Sequence, residues 1–298
     1  MAKNLYTSEA RFIFELLQNA EDNQYTVATG QNVVPYVSFK LFSDRIVVEC
    51  NEDGFTRNHL HAICDVGQSS KNGKSGSHGY VGEKGIGFKS VFMAAWKVHI
   101  QSGDFSFCFF HRKGDSGMGM IMPIWEEPEA DLPRPLTRIT LFLHEDTSQR
   151  EFIETQLREL QDTFLLFLTK LRRIDIAFHD SKGQQTVSTS LNKVEESNRV
   201  ILSNVSTGPS PNDSVRKSQT YHVTSHTVRN LPRSNNREYS PKEESDRAWA
   251  SSTVVLAFPL TESAEPIIAP QDIFAFLPVT CKGFKVRRPT ASMLNRLL

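Results

Sequence analysis

The chain has 298 residues, 39% hydrophobic and 23% charged, so it is long enough for two modest domains that each bury a core. Lys and Arg total 34 and Asp and Glu total 34, which excludes a net attraction to nucleic acid or to an anionic membrane. The 4 cysteines are too scattered for a disulfide framework and form no CxxC zinc motif. These cysteines fit a reducing, intracellular compartment, either cytoplasm or nucleus. Because no apolar run reaches the roughly 18 residues of a membrane span, we also expect a soluble protein.

The N-terminal part begins with helical and hairpin patterns. A helix is predicted over 8–24, and the β-rich segments 35–42 and 44–50 are separated so briefly that a hairpin is predicted. Thr56 opens a second predicted helix. Residues 67–87, rich in Gly, Ser and Lys, are predicted to form a long loop, either functional or disordered.

The middle of the chain alternates a helix with strands. FKSVFMAA at 88–95 is predicted to be a third helix, and the strand patterns after it are WKVHIQSG, DFSFCFFHR, MGMIMPIW and LTRITLFLH. Helices grouped with a mixed or antiparallel sheet predict an α+β fold built in layers.

The remainder of the chain is less regular. A helical pattern at 150–168 precedes strand patterns at 172–180 and 184–191. Residues 206–250 hold few large apolar residues and much Ser, Asn, Pro and charge, which predicts a loop or a mobile insertion. A strand pattern returns at 252–260, before a basic tail.

The first predicted helix carries a polar stripe. Glu15, Asn19 and Asp22 are spaced by three and four residues, so they lie along one side of the helix. The positions around them are apolar, which predicts burial on nearly all sides: Phe12, Ile13, Phe14, Leu16, Leu17 and Ala20. A buried carboxylate costs several kcal/mol unless it is paired, so the stripe needs internal donors or a ligand with a metal ion.

A glycine-rich turn opens the third predicted helix. Gly82, Gly85 and Gly87 form a GxxGxG pattern with Lys84 inside it. Glycines at a helix N-terminus let backbone N–H groups approach an anion such as phosphate. The turn follows a long loop rather than a βαβ strand, and no GxxxxGK[ST] occurs, so neither a Rossmann site nor a Walker P-loop is predicted.

Four strings in order resemble the ATP-site motifs of the GHKL superfamily, which includes gyrase, the ninety-kilodalton heat-shock chaperone, histidine kinases and MutL. The strings are FELLQNAEDN, VVECNEDGFT, GEKGIGFKSVF and LTRITLFL. The resemblance covers about residues 5–145 and is nearest to the sacsin-like and NO VEIN-like branch. It implies a Bergerat-type two-layer α/β sandwich, with helices on one face of a mixed, mainly antiparallel sheet, and a smaller α+β C-terminal segment.

The resemblance also implies a domain organisation. An ATP-binding domain is expected over 1–147 and a helix-plus-strands extension over 148–206. A flexible polar insertion over 207–250 and a partial second-domain segment with the basic tail over 251–298 complete the chain.

Site residues follow from the same resemblance. Glu15 matches the glutamate that deprotonates the attacking water, Asn19 the asparagine that ligates Mg²⁺, and Asp22 a position that lines the nucleotide pocket. Residues 67–82 correspond to the ATP lid, and Thr137 to the threonine that helps to hold adenine. The phosphate-binding turn comprises Gly82, Lys84, Gly85, Ile86, Gly87 and Phe88.

One motif departs from the superfamily pattern. In the superfamily a DxGxG string provides an aspartate that binds the adenine amino group. In this chain Cys50 stands at the position of that aspartate, and Glu52 replaces the first glycine. A thiol cannot accept from an amine as a carboxylate does, so Asn51 or Asp53, next to the retained Gly54, is expected to substitute.

The function implied is Mg²⁺-dependent ATP binding with slow hydrolysis coupled to lid closure, as in a chaperone-like conformational ATPase with protein clients or partner domains. The alternative is a nucleotide sensor that does not hydrolyse ATP, or a degenerate or truncated domain that acts through protein contacts. No nucleic-acid or membrane partner is expected.

Overall fold

The computed structural model describes residues 11–64, 87–112, 114–115, 117–120, 122–210, 213–232, 251–268, 273–275 and 277–280. Some of the predictions above lie outside these residues. They are the lid segment 67–82, the basic tail, and the glycine-turn positions Gly82, Lys84, Gly85 and Ile86.

The helices are short. The α-helices are α1 (Arg11–Asp22), α2 (Thr26–Gly30), α3 (Arg57–Cys64) and α4 (Thr147–Arg158). The 3₁₀ helices of the described residues are Phe88–Met93, Gly117–Met120 and Asp162–Phe167. In the described parts of the chain, no helix has the length and apolarity that crossing a bilayer requires.

In the described residues, β-strand is more common than helix. The strands are β1 (Tyr36–Leu41), β2 (Arg45–Cys50), β3 (Ala95–Ser102), β4 (Phe105–Phe110), β5 (Ile124–Trp125), β6 (Thr137–Leu143), β7 (Arg173–His179), β8 (Gln185–Glu196), β9 (Arg199–Thr207), β10 (Ser214–Arg229), β11 (Ser251–Leu260), β12 (Ile273–Ala275) and β13 (Leu277–Thr280). One 11-stranded sheet has the order β11-β10-β9-β8-β7-β1-β2-β6-β3-β4-β5, while β12 and β13 form a separate pair.

The predicted fold class is therefore wrong. The chain is not a two-layer Bergerat-type sandwich with a separate α+β segment, because strands from both parts of the chain join one large mixed sheet. The reason lies at β1, whose two edges are both paired. β1 is antiparallel to β2 in the predicted hairpin, and on its other side it is parallel to β7, from Tyr36 opposite Arg173 to Leu41 opposite Phe178.

The core forms where the inward faces of these strands meet the helices. On β1 the side chains of Val37, Phe39 and Leu41 are at most 1% exposed, and they alternate with the more polar residues of the other face. Ile174 and Ile176 on β7 repeat this alternation. The same hydrophobic cluster contains the apolar residues of α1, so α1 packs on this face of the sheet.

The segment predicted as a flexible polar insertion contains a long strand. β10 (Ser214–Arg229) is antiparallel to both β9 and β11. Its side chains are exposed or half-buried, so the strand needs few large apolar residues. Low apolar content indicated a loop here because that pattern cannot distinguish a loop from a strand whose side chains are only exposed or half-buried.

The segment predicted as a third helix is shorter and more tightly wound than expected. Phe88–Met93 forms a 3₁₀ helix, in which the Ser90 N–H donates to the Gly87 carbonyl at 3.1 Å. The Ser90 hydroxyl donates to the same carbonyl at 2.6 Å, so it competes for the acceptor of this turn.

Candidate functional site

The helix α1 has the buried character that the sequence predicts. Its apolar side chains are at most 5% exposed: Phe12, Ile13, Phe14, Leu16, Leu17 and Ala20. Glu15 and Asn19 are half-buried, as is Asp22 at the helix end. The predicted burial around the stripe is confirmed, and the polar stripe marks the side of α1 that is open to a polar neighbour.

A glycine, Gly87, closely approaches the Glu15 carboxylate. A Cβ atom built on Gly87 would lie 2.2 Å from Glu15 Oε2 and 3.0 Å from Glu15 Cδ. Gly87 has φ −57° and ψ −47°, a conformation open to any residue, so close approach rather than backbone strain requires glycine here. The structure thus brings the predicted catalytic carboxylate against the last glycine of the predicted phosphate turn. Phe88, next in the chain, packs half-buried on the core.

The end of α1 is fixed by hydrogen bonds to its carbonyl groups. Lys170 Nζ donates to the Asp22 carbonyl at 3.0 Å. The Tyr25 hydroxyl donates to the Ala20 carbonyl at 2.7 Å and lies 3.1 Å from Cys50 Sγ. Tyr25 therefore joins the helix that carries the polar stripe to the end of β2.

Cys50 is a buried thiol in this arrangement. It is 7% exposed, and burial raises its pKa to about 12, so the thiol stays protonated at neutral pH. Tyr25 and Asn23 hydrogen-bond to the sulfur. Cys50 lies opposite Thr137 in the β2–β6 pairing, which places it beside the predicted adenine-side threonine.

The polar groups of Asn51 and Asp53 face backbone atoms. Asn51 Oδ1 accepts from the Tyr36 N–H at 2.8 Å and Nδ2 donates to the Val34 carbonyl at 3.0 Å. Asp53 accepts at 3.0 Å from the N–H of Thr26 and at 2.9 Å from that of Val27, and so caps α2. Burial acts to raise the pKa of Asp53, but these hydrogen bonds lower it below its usual value. A role in nucleotide binding stays a prediction for both residues.

Glu52 is the residue that sequence reasoning missed. Its side chain is 3% exposed, and its carboxylate accepts a hydrogen bond from the Thr137 hydroxyl. The N–H of Gly54, which has φ +96°, also bonds to it. Burial raises the pKa of Glu52 above its usual value, although the two hydrogen bonds oppose this shift. The signal available in the sequence was a carboxylate in place of a motif glycine.

A hydrogen-bonded chain extends from Glu52 across three strands. Thr137 at the start of β6 bonds to the hydroxyl of Ser102 at the end of β3, and both residues are at most 4% exposed. The Ser102 hydroxyl accepts from the Phe55 N–H at 2.8 Å. The ends of β2, β3 and β6 thus form one buried polar cluster, which Tyr25 connects to α1.

A cavity of about 390 Å³ lies elsewhere, on the sheet face turned away from α1. Tyr36, Lys40 and Arg173 are among its lining residues, and none of the predicted site residues lines it. The cavity therefore contributes nothing to the arrangement around Glu15.

The chain shows similarity to two kinds of protein. It is 38% identical over 192 residues to "Protein NO VEIN" of Arabidopsis thaliana, an alignment that covers 58% of this chain and 7% of that protein. It is 28% identical over 170 residues to "Chaperone protein HtpG" of Anaplasma phagocytophilum (strain HZ), covering 49% of this chain and 25% of HtpG. HtpG of Helicobacter pylori (strain HPAG1) is 28% identical over 168 residues, covering 50% and 26%.

These similarities have a limited reach. No family model matches the chain. The chain spans 7% to 26% of the length of these relatives, so the activity of a whole relative does not carry over. What the similarity to HtpG and to NO VEIN does support is a coarse relationship of this chain to the GHKL superfamily.

Proposed function

We propose that the chain binds Mg·ATP on the polar face of α1 and hydrolyses it slowly, with turnover coupled to closure of the sequence-predicted lid, as in a chaperone-like ATPase. The observation that carries the proposal is the approach of Glu15 to Gly87, where a Cβ would lie 2.2 Å from the carboxylate. The similarity to a chaperone protein, HtpG, is consistent with it.

The side chains present fit a hydrated magnesium ion bound together with phosphates. Mg²⁺ prefers oxygen ligands and is commonly held by one or two protein groups plus substrate phosphate oxygens. Within the described residues no group of three or more His, Cys, Asp or Glu side chains is arranged to hold a metal, and the polar face of α1 offers the amide oxygen of Asn19. Asn19 would supply that oxygen, and the ion would neutralise developing phosphate charge.

Glu15 would act as the general base. It is half-buried beside Gly87, where a carboxylate can orient a water molecule and accept its proton during in-line attack. Gly87 would keep this carboxylate close to the phosphate turn, because any larger residue would displace it.

Base recognition would use Glu52 in place of the missing aspartate. Asn51 and Asp53 bond to backbone groups, and Cys50 is a protonated thiol. Glu52 is the carboxylate that contacts Thr137, the predicted adenine-side residue, and a carboxylate oxygen can accept from an exocyclic amine.

The test is calorimetric Mg·ATP binding together with single-turnover hydrolysis. We expect Glu15→Ala to keep binding and lose hydrolysis, and Asn19→Ala to weaken binding only when Mg²⁺ is present. Glu154→Ala is the matched control, because Glu154 is a half-buried helical carboxylate in α4 whose partners are Arg150 and Arg158.

The same experiment separates the alternatives. Wild-type protein that binds Mg·ATP without turnover would favour a nucleotide sensor, which the substitution of Cys50 for the aspartate supports. Wild-type protein that does not bind Mg·ATP at all would overturn both hypotheses.

A further inference from the structure

The last turn of α1 carries a carboxylate on a different face from Glu15. Glu21 Oε1 accepts from the Thr169 N–H and hydroxyl, each at 2.6 Å, and from the Lys170 N–H at 3.0 Å. Glu21 Oε2 accepts from the Leu171 N–H at 3.0 Å. One carboxylate thus satisfies successive backbone N–H groups of the segment that leads into β7.

The side chain of Lys170, in the same segment, in turn donates hydrogen bonds to the end of α1. Its Nζ donates to the carbonyls of Asp22 at 3.0 Å and Asn23 at 2.6 Å, which are acceptors that a helix end leaves without internal partners. A glutamate near a helix C-terminus opposes the helix dipole, whereas a lysine there complements it. The pair of contacts, called here the Glu21–Lys170 clamp, therefore compensates locally for an unfavourable charge.

The segment gripped by the clamp is itself held by the sheet. The Arg172 N–H donates to the Pro35 carbonyl at 2.9 Å, just before β1. Lys193 of β8, 5% exposed, donates to the Leu168 carbonyl. Farther along α1, the ring of Phe14 lies 5.8 Å from that of Phe164. The clamp thus connects α1 to strands that lie beyond the sequence-predicted ATP-binding domain.

We propose that Glu21 and Lys170 are positioning residues of the nucleotide site, which fix α1 against the segment before β7 and so place Asn19 and Glu15. The inference rests on the proposed function. Asn19 lies in the last turn of α1, and Lys170 donates a hydrogen bond to the Asp22 carbonyl at the end of that turn. Glu15 lies so close to Gly87 that a methyl group on Gly87 would collide with its carboxylate. A displacement of a catalytic group by about 1 Å can lower a rate about 100-fold, so the axial position of α1 matters.

The test compares Glu21→Gln with Glu154→Gln. Both glutamates are half-buried, helical and hydrogen-bonded, but Glu154 accepts its hydrogen bonds from Arg150 and Arg158 within α4. We expect Glu21→Gln to accelerate amide hydrogen exchange in the last turn of α1 and to lower single-turnover hydrolysis at least about tenfold. Its Kd for Mg·ATP should rise in the presence of Mg²⁺ and change little without it, because the clamp also places Asn19, the proposed Mg²⁺ ligand. Glu154→Gln should change none of these quantities.

A second variant keeps the inference testable if Glu21→Gln does not fold. Lys170→Met removes only the bonds to the helix carbonyls and should lower hydrolysis in the same direction, while Lys170→Arg should restore part of it. Because Glu21 and Lys170 act on one contact, the double variant should lose less than the product of the two single losses.

Two results would overturn the inference alone: unchanged exchange at the end of α1 in Glu21→Gln, or faster exchange there with unchanged turnover. Wild-type protein that does not bind Mg·ATP would overturn the proposed function and the inference together. The two failures are therefore distinguishable.

Discussion

At the scale of single residues, the contact between Gly87 and Glu15 gives the sharpest prediction. Gly87→Ala places a methyl group 2.2 Å from Glu15 Oε2, so the carboxylate must rotate away. Since it is the end of a flexible side chain, the expected loss of unfolding free energy is small, about 0.5–1.5 kcal/mol. Hydrolysis should nevertheless fall as far as in Glu15→Ala, measured by single turnover beside urea unfolding.

A second glycine of the chain, Gly30, provides the control for this prediction. Gly30 has no atom within 4 Å of a built Cβ, so Gly30→Ala should leave both quantities nearly unchanged. The double variant Glu15→Ala/Gly87→Ala should show no stability loss beyond that of Glu15→Ala, because the obstructed group is gone. A large additional loss in the double variant would mean that Gly87 is required for another reason.

The pKa values of Glu52 and Glu49 are shifted in opposite directions, so the two residues should change the pH dependence of stability in opposite ways. Burial raises the folded pKa of Glu52 above its usual 4.5, so the folded state binds more protons and stability falls as the pH rises above about 4.5. Burial acts to raise the pKa of Glu49 as well, but hydrogen bonds and ion pairs with Lys40 and Arg138 bring it below its usual 4.5. Ionised Glu49 therefore stabilises the folded state above pH 4.5, and this stabilisation is lost as the pH falls through the lowered pKa.

We therefore expect Glu52→Gln to flatten the decline of unfolding free energy above pH 4.5, and Glu49→Gln to flatten the decline on acidification. The measurement is urea unfolding of wild type and both variants at a series of pH values. Identical pH profiles for wild type and Glu52→Gln would show that Glu52 ionises normally in its cluster.

Glu52 also shows why sequence reasoning reached only part of the site. The polar stripe on α1 follows from local spacing, so the sequence alone places Glu15 and Asn19 on one face of the helix. The partner of Glu52 is Thr137, far away in the chain, and only the β2–β6 pairing brings the two together. A buried long-range hydrogen bond leaves no periodic signal in the sequence.

At the scale of elements, Asp53 tests the difference between a helix cap and a ligand. Its carboxylate accepts the first N–H groups of α2, so Asp53→Ala should lower the unfolding free energy by about 1 kcal/mol. Asp53→Asn should keep only part of that stability, since its single amide oxygen can accept from one of the two N–H groups while its NH2 faces the other. If Asp53 only caps α2, Kd for Mg·ATP stays unchanged in Asp53→Asn, whereas a large increase would support the predicted nucleotide contact.

Local sequence patterns predicted individual helices and strands better than they predicted which strands pair in the sheet. The β1–β2 hairpin and α1 were predictable because short separation and apolar periodicity act within a few residues. The parallel pairing of β1 with β7 was not, since it joins strands distant in sequence and either edge of β1 could have remained open. The exposed strand β10 was missed because its composition matches that of a loop.

At the scale of the whole molecule, the pairing of β1 with β7 predicts how the chain divides. The domain boundaries stay predictions, but residues 1–147 alone would lack β7 and the clamp on α1. Ile174, Ile176 and Phe178 are at most 4% exposed and belong to the same core as β1, so their removal uncovers a continuous apolar surface.

A fragment of residues 1–147 should therefore unfold without cooperativity or aggregate, whereas residues 1–210 should unfold in one transition. Residues 1–210 keep β7, β8 and β9, and with them both paired edges of β1 and the contacts of Lys193 and Arg172 that hold the clamp. Thermal unfolding followed by circular dichroism, with limited proteolysis, measures the difference. A cooperative transition in 1–147 at the same temperature as in 1–210 would mean that the sheet beyond β1 is an independent unit. If only residues 1–210 unfold in a single transition, then β1, β2 and β7 fold together as one unit. This is the result that the pairing of β1 with both β2 and β7 requires.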